Sequence, residues 1–239
     1  MIFALPHMGS WEHAGAWIVL CGAGKVTTVA ERLRPESLYD RFVAFRGRLG
    51  MEVLPHSAGA SRFGVLAQRL RAGGLVALLC ERDLTGSGIE VEFFGEPARI
   101  VGGPAALAEQ NGAVLMPVTL WYEGEKWGAH THQEIPVPET GTGQEKIAAM
   151  TQQLARVFED GIARHPEDWH MLQKVFVADL GTGRLRPLAS NRRRPGNSAA
   201  IHVRADVMTA RRRPSMVRSP SSTFAGPRVR RPAARSLPA

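Results

Sequence analysis

The chain has 239 residues, with 30 Lys and Arg against 22 Asp and Glu, a formal charge of +8, and 44% of its residues are hydrophobic. That apolar share excludes wholesale disorder, and the length suffices for one domain that buries its own core. The two cysteines, Cys21 and Cys80, are too few and too far apart for a disulfide framework, so a reducing compartment is the default expectation.

The charge is unevenly placed. Residues 181–239 contain fourteen Arg, no Lys and a single acid, Asp206, a net +13 that leaves the first 180 residues at −5. This end is rich in Arg, Pro, Ser and Ala and has no apolar periodicity, a composition that cannot bury a core. The expected organisation is therefore a domain over 1–180 and a disordered tail over 181–239. Arg clusters bind phosphates through charge alone, but aromatic interleaving is confined to Phe224. An extension without a selected role is favoured over a nucleic-acid or membrane arm, and no nucleic acid is expected for the body. The longest small or apolar run, Ala14 to Gly24, is 11 residues, short of the roughly 18 to 20 that a spanning helix needs. Met1 to Pro6 lacks a basic n-region, so export is not expected.

In chain order, Ile2 to Leu5 reads as a strand, Trp11 to Cys21 as a helix and Val26 to Ala30 as a second strand. A helix follows over Pro35 to Leu49, with Pro35 and Glu36 suited to its first turn and Gly50 to its end. Then come a strand at Met51 to Leu54, a helix at Ser61 to Ala72 closed by Gly73-Gly74, and a strand at Leu75 to Cys80. A helix at Gly103 to Asn111, a strand at Val114 to Tyr122 and a long helix from Gln144 to about Arg164 complete the series. Two further segments, Ile89 to Phe94 and Lys126 to Ile135, suggest antiparallel strands. The alternation of short apolar runs with helical patterns predicts an α/β fold, a largely parallel central sheet with helices on both faces. The first strand starts almost at Met1. A terminal strand is usually an edge, yet this one is apolar on both faces, which suggests that something precedes it.

In such folds chemistry gathers at the carboxyl ends of strands. The first strand runs into Pro6-His7-Met8-Gly9-Ser10-Trp11-Glu12. Gly9 allows a tight bend, Ser10 is a helix cap, and Glu12 falls in the first helical turn. Positions i and i+5 of one helix do not face each other, but a strand end folding back onto the next helix can bring His7 and Glu12 together. A carboxylate on one ring nitrogen fixes the tautomer and frees the other nitrogen as a general base. A histidine merely satisfied at a strand end, beside an acid that complements a helix dipole, accounts for the same residues. Glu81-Arg82-Asp83 follows another strand and is expected on the same sheet edge. Other signals are weaker. Val19 stands where a phosphate loop ending in Gly24-Lys25 needs glycine, and His130-x-His132 lacks a third placed ligand, so no metal is expected. There is no G-x-S-x-G elbow.

The segment Leu5-Pro-His7-Met-Gly-Ser-Trp-Glu12-His-Ala-Gly-Ala-Trp17 resembles the HX4D/E motif of the lysophospholipid acyltransferase superfamily, in its lipid A late acyltransferase and actinobacterial phosphatidylinositol mannoside acyltransferase branch. The order and spacing of further blocks are similar: Glu31 to Tyr39, Arg46-Gly-Arg48, Glu81-Arg82-Asp83, Phe93-Phe94-Gly95-Glu96-Pro97 and His165-Pro-Glu-Asp-Trp169. The resemblance covers roughly residues 2 to 180. It implies transfer of a long-chain, palmitoyl-like acyl group from acyl-CoA, as donor substrate and with no cofactor, to a mannose hydroxyl of a glycolipid acceptor. His7 would be the general base and Glu12 its orienting partner. Glu81 and Arg82 would lie in the substrate-binding region with Arg46, which is preferred to Arg48. It also implies peripheral attachment to the cytoplasmic face of the membrane. Family members carry helices before the motif, so the chain is expected to lack an N-terminal part. Acyl transfer to lipid A from a carrier protein, or an inactive remnant that only binds membrane, are the alternatives.

Overall fold

A computed structural model describes residues 1–55, 60–83 and 86–180. The expected tail over 181–239 lies outside the described residues. Eight strands and six α-helices follow in the order β1 (Ile2–Leu5), α1 (Trp11–Leu20), β2 (Val26–Ala30), α2 (Glu36–Arg48), β3 (Met51–Pro55), α3 (Ala60–Arg71), β4 (Leu75–Leu79), β5 (Ile89–Phe93), β6 (Glu96–Ile100), α4 (Gly103–Asn111), β7 (Leu115–Glu123), β8 (Lys126–Thr131), α5 (Gly143–Arg164) and α6 (Val177–Leu180), with a 3-10 turn at Pro166–Asp168 before α6.

Six strands form the central sheet in the order β3-β2-β4-β1-β7-β8. The first five are mutually parallel and β8 returns antiparallel to β7. Its double-sided apolar character places β1 inside, between β4 and β7, with Ile2 level with both Val76 and Leu115. The expectation that a terminal strand is an edge therefore fails here, because a strand apolar on both faces is buried only in a sheet interior. The expected strand at Ile89 has a partner, β6, that the sequence reading missed. β5 and β6 form a separate hairpin turning through Phe94 and Gly95, both at positive φ (52° and 79°), the requirement of a primed two-residue turn.

The helices close the core. α5 is held at its start by a capping box between Thr142 and Glu145 and buries one face through Met150, Leu154, Phe158 and Ile162, a spacing of four that keeps these side chains on one stripe. They join a cluster with Ile2, Val76, Phe93 and Leu107. A smaller cluster of Leu5, Ala14, Val118 and Leu120 packs on the other face beneath α1.

At the far edge β3 carries Glu52, whose carboxylate receives two hydrogen bonds from Arg69 and one from the Thr27 hydroxyl, all at 2.8 Å. The Arg69 guanidinium holds the Glu52 carboxyl down to about 2 from its ordinary 4.5. A depressed carboxyl group adds stability that is complete above the ordinary value and is lost as the pH falls through the folded one. In urea titrations, Glu52→Gln is expected to destabilise the domain at neutral pH by on the order of 1 kcal/mol, since both partners are partly solvated. The difference from wild type should shrink between pH 4.5 and pH 2 and vanish below.

Candidate active site

The sheet register builds the site. β1 and β4 run parallel with Leu5 level with Leu79, so His7 and Glu81, each two residues further on, emerge side by side. The His7 Nδ1–H faces both oxygens of Glu81 at 2.8 Å, and the His7 backbone N–H also donates to Oε1. The Trp169 indole N–H reaches the same oxygen at 3.4 Å. Glu81 is completely buried while the His7 side chain is 22% exposed. A buried carboxylate costs free energy unless its lone pairs are satisfied. Here one carboxylate is satisfied by three donors, and the imidazole is pinned by the same contacts.

Two segments hold this arrangement from the other side. The His170 N–H donates to the His7 carbonyl at 2.7 Å and the Gly9 N–H to the Asp168 carbonyl at 3.1 Å, while the buried Asp168 carboxylate accepts the Tyr122 N–H at 2.8 Å. The turn between β1 and α1 passes so close to β7 that a Cβ on Gly9, at φ +56°, would stand 2.7 Å from the Leu120 carbonyl carbon. The Ser10 side chain then caps α1 by accepting the His13 N–H.

The expected pairing of His7 with Glu12 is replaced by another. Glu12 Oε1 accepts from Arg46 Nη2 at 2.9 Å, and the guanidinium lies over the Trp11 ring with its carbon 4.5 Å from the centroid. The carboxylate on the imidazole is Glu81, which the sequence reading assigned to substrate binding. Full burial beneath His7 removes Glu81 from substrate contact. The signal that could have found it is the equal offset of His7 and Glu81 from the ends of two strands that pair in parallel.

His7, Arg46 and Arg82 line a cavity of about 650 Å³, whose lining also includes Phe63, Leu66, Leu78, Leu107 and Ile147. That volume falls in the range of small-molecule sites, which combine apolar walls with a few convergent polar groups. Arg82 is held by Glu31 at 3.6 Å and donates to Gln173. Cys80 lies in the wall too. Burial, reinforced by the neighbouring Glu81 charge, pushes its thiol well above the ordinary value, and its Sγ donates to the Leu5 carbonyl at 3.8 Å, so it is a poor nucleophile. The rings of His130, on β8, and His132, just beyond it, are tilted to each other with centroids 4.4 Å apart. Burial lowers His132 to about 4, and its Nε2 is bonded to the Thr119 hydroxyl at 2.8 Å.

A family described as bacterial lipid A biosynthesis acyltransferase matches residues 1–177. The chain belongs to this family. Among its acyltransferase relatives, a protein named phosphatidylinositol mannoside acyltransferase from Mycobacterium tuberculosis (strain H37Rv) is 50% identical over 190 residues, 79% of this chain and 58% of that protein. One of the same name from Mycolicibacterium smegmatis is 50% identical over 184 residues, 77% of this chain and 59% of that protein. The chain thus spans a little under three fifths of the length of the curated acyltransferases it matches.

Gly9→Ala combines a left-handed backbone with a backbone clash. It is expected to destabilise the domain by about 2 kcal/mol or more, read as a lowered urea midpoint with an unchanged slope.

Proposed function

We propose that the chain is an O-acyltransferase that moves a long-chain, palmitoyl-like acyl group from acyl-CoA to a mannose hydroxyl of a phosphatidylinositol mannoside. The observation that carries the chemistry is the His7–Glu81 pair at a cavity lined in part by apolar side chains. The names of the two mycobacterial relatives support the acceptor.

With Nδ1–H bonded to Glu81, Nε2 is the nitrogen left to take a proton. The acceptor O–H gives its proton to Nε2 as its oxygen attacks the thioester carbonyl carbon. The C–S bond then breaks, the ester forms, and the leaving thiolate takes the proton from the imidazolium. Glu81 orients the ring and compensates the charge that develops on it. The thioester is already activated, so the scheme uses no cofactor. Arg82 holds a substrate phosphate or polarises the thioester carbonyl. Arg46, braced by Glu12 and Trp11, presents a second cation to the cavity, so Glu12 serves as a positioning residue for Arg46.

Among the described residues no helix is long and apolar enough to cross a membrane. Exposed Trp17, Leu20, Phe42 and Phe45 on α1 and α2, beside the exposed Arg41 and Arg48, support peripheral contact with the cytoplasmic leaflet, since apolar side chains with flanking cations are what an anionic interface binds.

Incubation of the full chain with radiolabelled palmitoyl-CoA and a mannoside acceptor tests the reading directly. His7-dependent label in the glycolipid supports it, and label in a lipid A precursor alone overturns the choice of acceptor. His7→Ala and Glu81→Gln are each expected to lower turnover by about two to four powers of ten. Glu12→Gln should act more weakly, raising KM more than it lowers kcat. Cys80→Ala should retain His7-dependent turnover, and wild type should carry no hydroxylamine-sensitive acyl group on the protein. A trapped acyl-cysteine would replace direct transfer by a covalent mechanism.

A further inference from the structure

Three arginines line the cavity, Arg46, Arg62 and Arg82, and their surroundings differ. Arg46 is paired with Glu12 and Arg82 with Glu31. Arg46 Nε and Arg62 Nη1 are both buried without a hydrogen-bond partner, but Arg62, in the first turn of α3, has in addition no ion pair among the described residues. The described side chain is only partly covered, so the guanidinium is held at the cavity without the charge compensation its two counterparts have. Leaving a charged donor covered and unpaired is costly, and such a group in a cavity wall is most simply explained by a ligand acceptor.

The surroundings narrow the class of that acceptor. α3 follows β3, so its N-terminus lies at the same carboxyl edge as His7, and the helix's positive end adds to the guanidinium charge. One turn on, Leu66 joins Phe63 in the apolar wall. An anionic group bound at Arg62 therefore belongs to a molecule whose apolar part continues along α3. Asp83, also in the wall, has its carboxylate engaged by the Gly86 N–H at 3.1 Å and the Gly88 N–H at 2.7 Å.

We infer that Arg62 is a substrate-binding residue that holds a phosphoester of an acyl-bearing substrate through its guanidinium fork. The inference deepens the proposed acyl transfer and rests on it for the substrate class. Two sources share this chemistry: the phosphates of the coenzyme donor and the phosphodiester of the glycolipid headgroup.

Calorimetric titration of the full chain with coenzyme A and, separately, with myo-inositol 1-phosphate distinguishes them. Wild type is expected to bind one of the two saturably, and Arg62→Gln to weaken that binding by about 10- to 100-fold, the range for losing hydrogen bonds to a charged group. Arg62→Lys, which keeps the charge without the fork, should recover part of the loss. Binding of coenzyme A alone assigns the donor, and binding of the inositol phosphate alone assigns the acceptor. Equal affinities in wild type and both variants, with unchanged circular dichroism, overturn the inference, as does the absence of saturable binding by folded wild type. If Arg62→Gln does not fold, the Arg62→Lys comparison decides: undiminished affinity there counts against the fork. Arg62-dependent binding without His7-dependent acyl transfer leaves this site standing and removes the proposed reaction. Transfer indifferent to Arg62 does the reverse.

Discussion

The parallel register of β1 and β4 is the constraint on which the site depends. Leu5 opposite Leu79 fixes where each strand releases the chain, and the two residues released at equal distance are an imidazole and a carboxylate. A shift of one residue would turn either side chain to the opposite face of the sheet. The register is enforced by packing, because Ile2, Ala4 and Val76 are completely buried and belong to one core cluster. The geometry of a polar pair at the cavity is thus set by apolar residues earlier in the same two strands.

Burial of Glu81 gives that pair its character. The carboxylate has no route to water and takes its donors from His7 and Trp169. The Trp169 segment is itself tied to the turn after β1, through His170 to His7 and Gly9 to Asp168. Residues more than 150 positions apart in the chain therefore close around one carboxylate. Glu12, in the first turn of α1, has a separate task. It braces Arg46, whose guanidinium also lies over Trp11 and within 5.4 Å of the Phe42 ring centroid. Aromatic faces and a carboxylate together hold a cation in place. The cavity consequently has an imidazole, braced cations and an apolar wall.

Much of the architecture was legible from periodicity. The runs at Val26, Met51 and Leu75 are strands and the patterns at Glu36 and Gly103 are helices, because short apolar runs and 3.6-residue stripes are local properties. β6 escaped notice because Glu96-Pro-Ala-Arg-Ile100 is half polar and its strand character comes from pairing with β5. The turn that joins them was visible only as Phe94-Gly95, and a phenylalanine at positive φ is not an ordinary turn signal. Which strands would flank β1 was likewise out of reach, since strand order depends on how crossovers wrap the sheet.

The amino-acid sequence by itself determined the alternation of elements, the placing of His7, Glu81 and Arg82 just beyond strand ends and of Glu12 in the first turn of a helix, and the motif shared with a family of acyltransferases. Tertiary structure decided which carboxylate meets the imidazole. His7 and Glu12 are neighbours along the chain and Glu81 is 74 positions away, yet the hydrogen bond goes to Glu81. Proximity in sequence limits only how far two groups can separate. Strand pairing fixes where they point, and a bond of 2.8 Å is governed by direction.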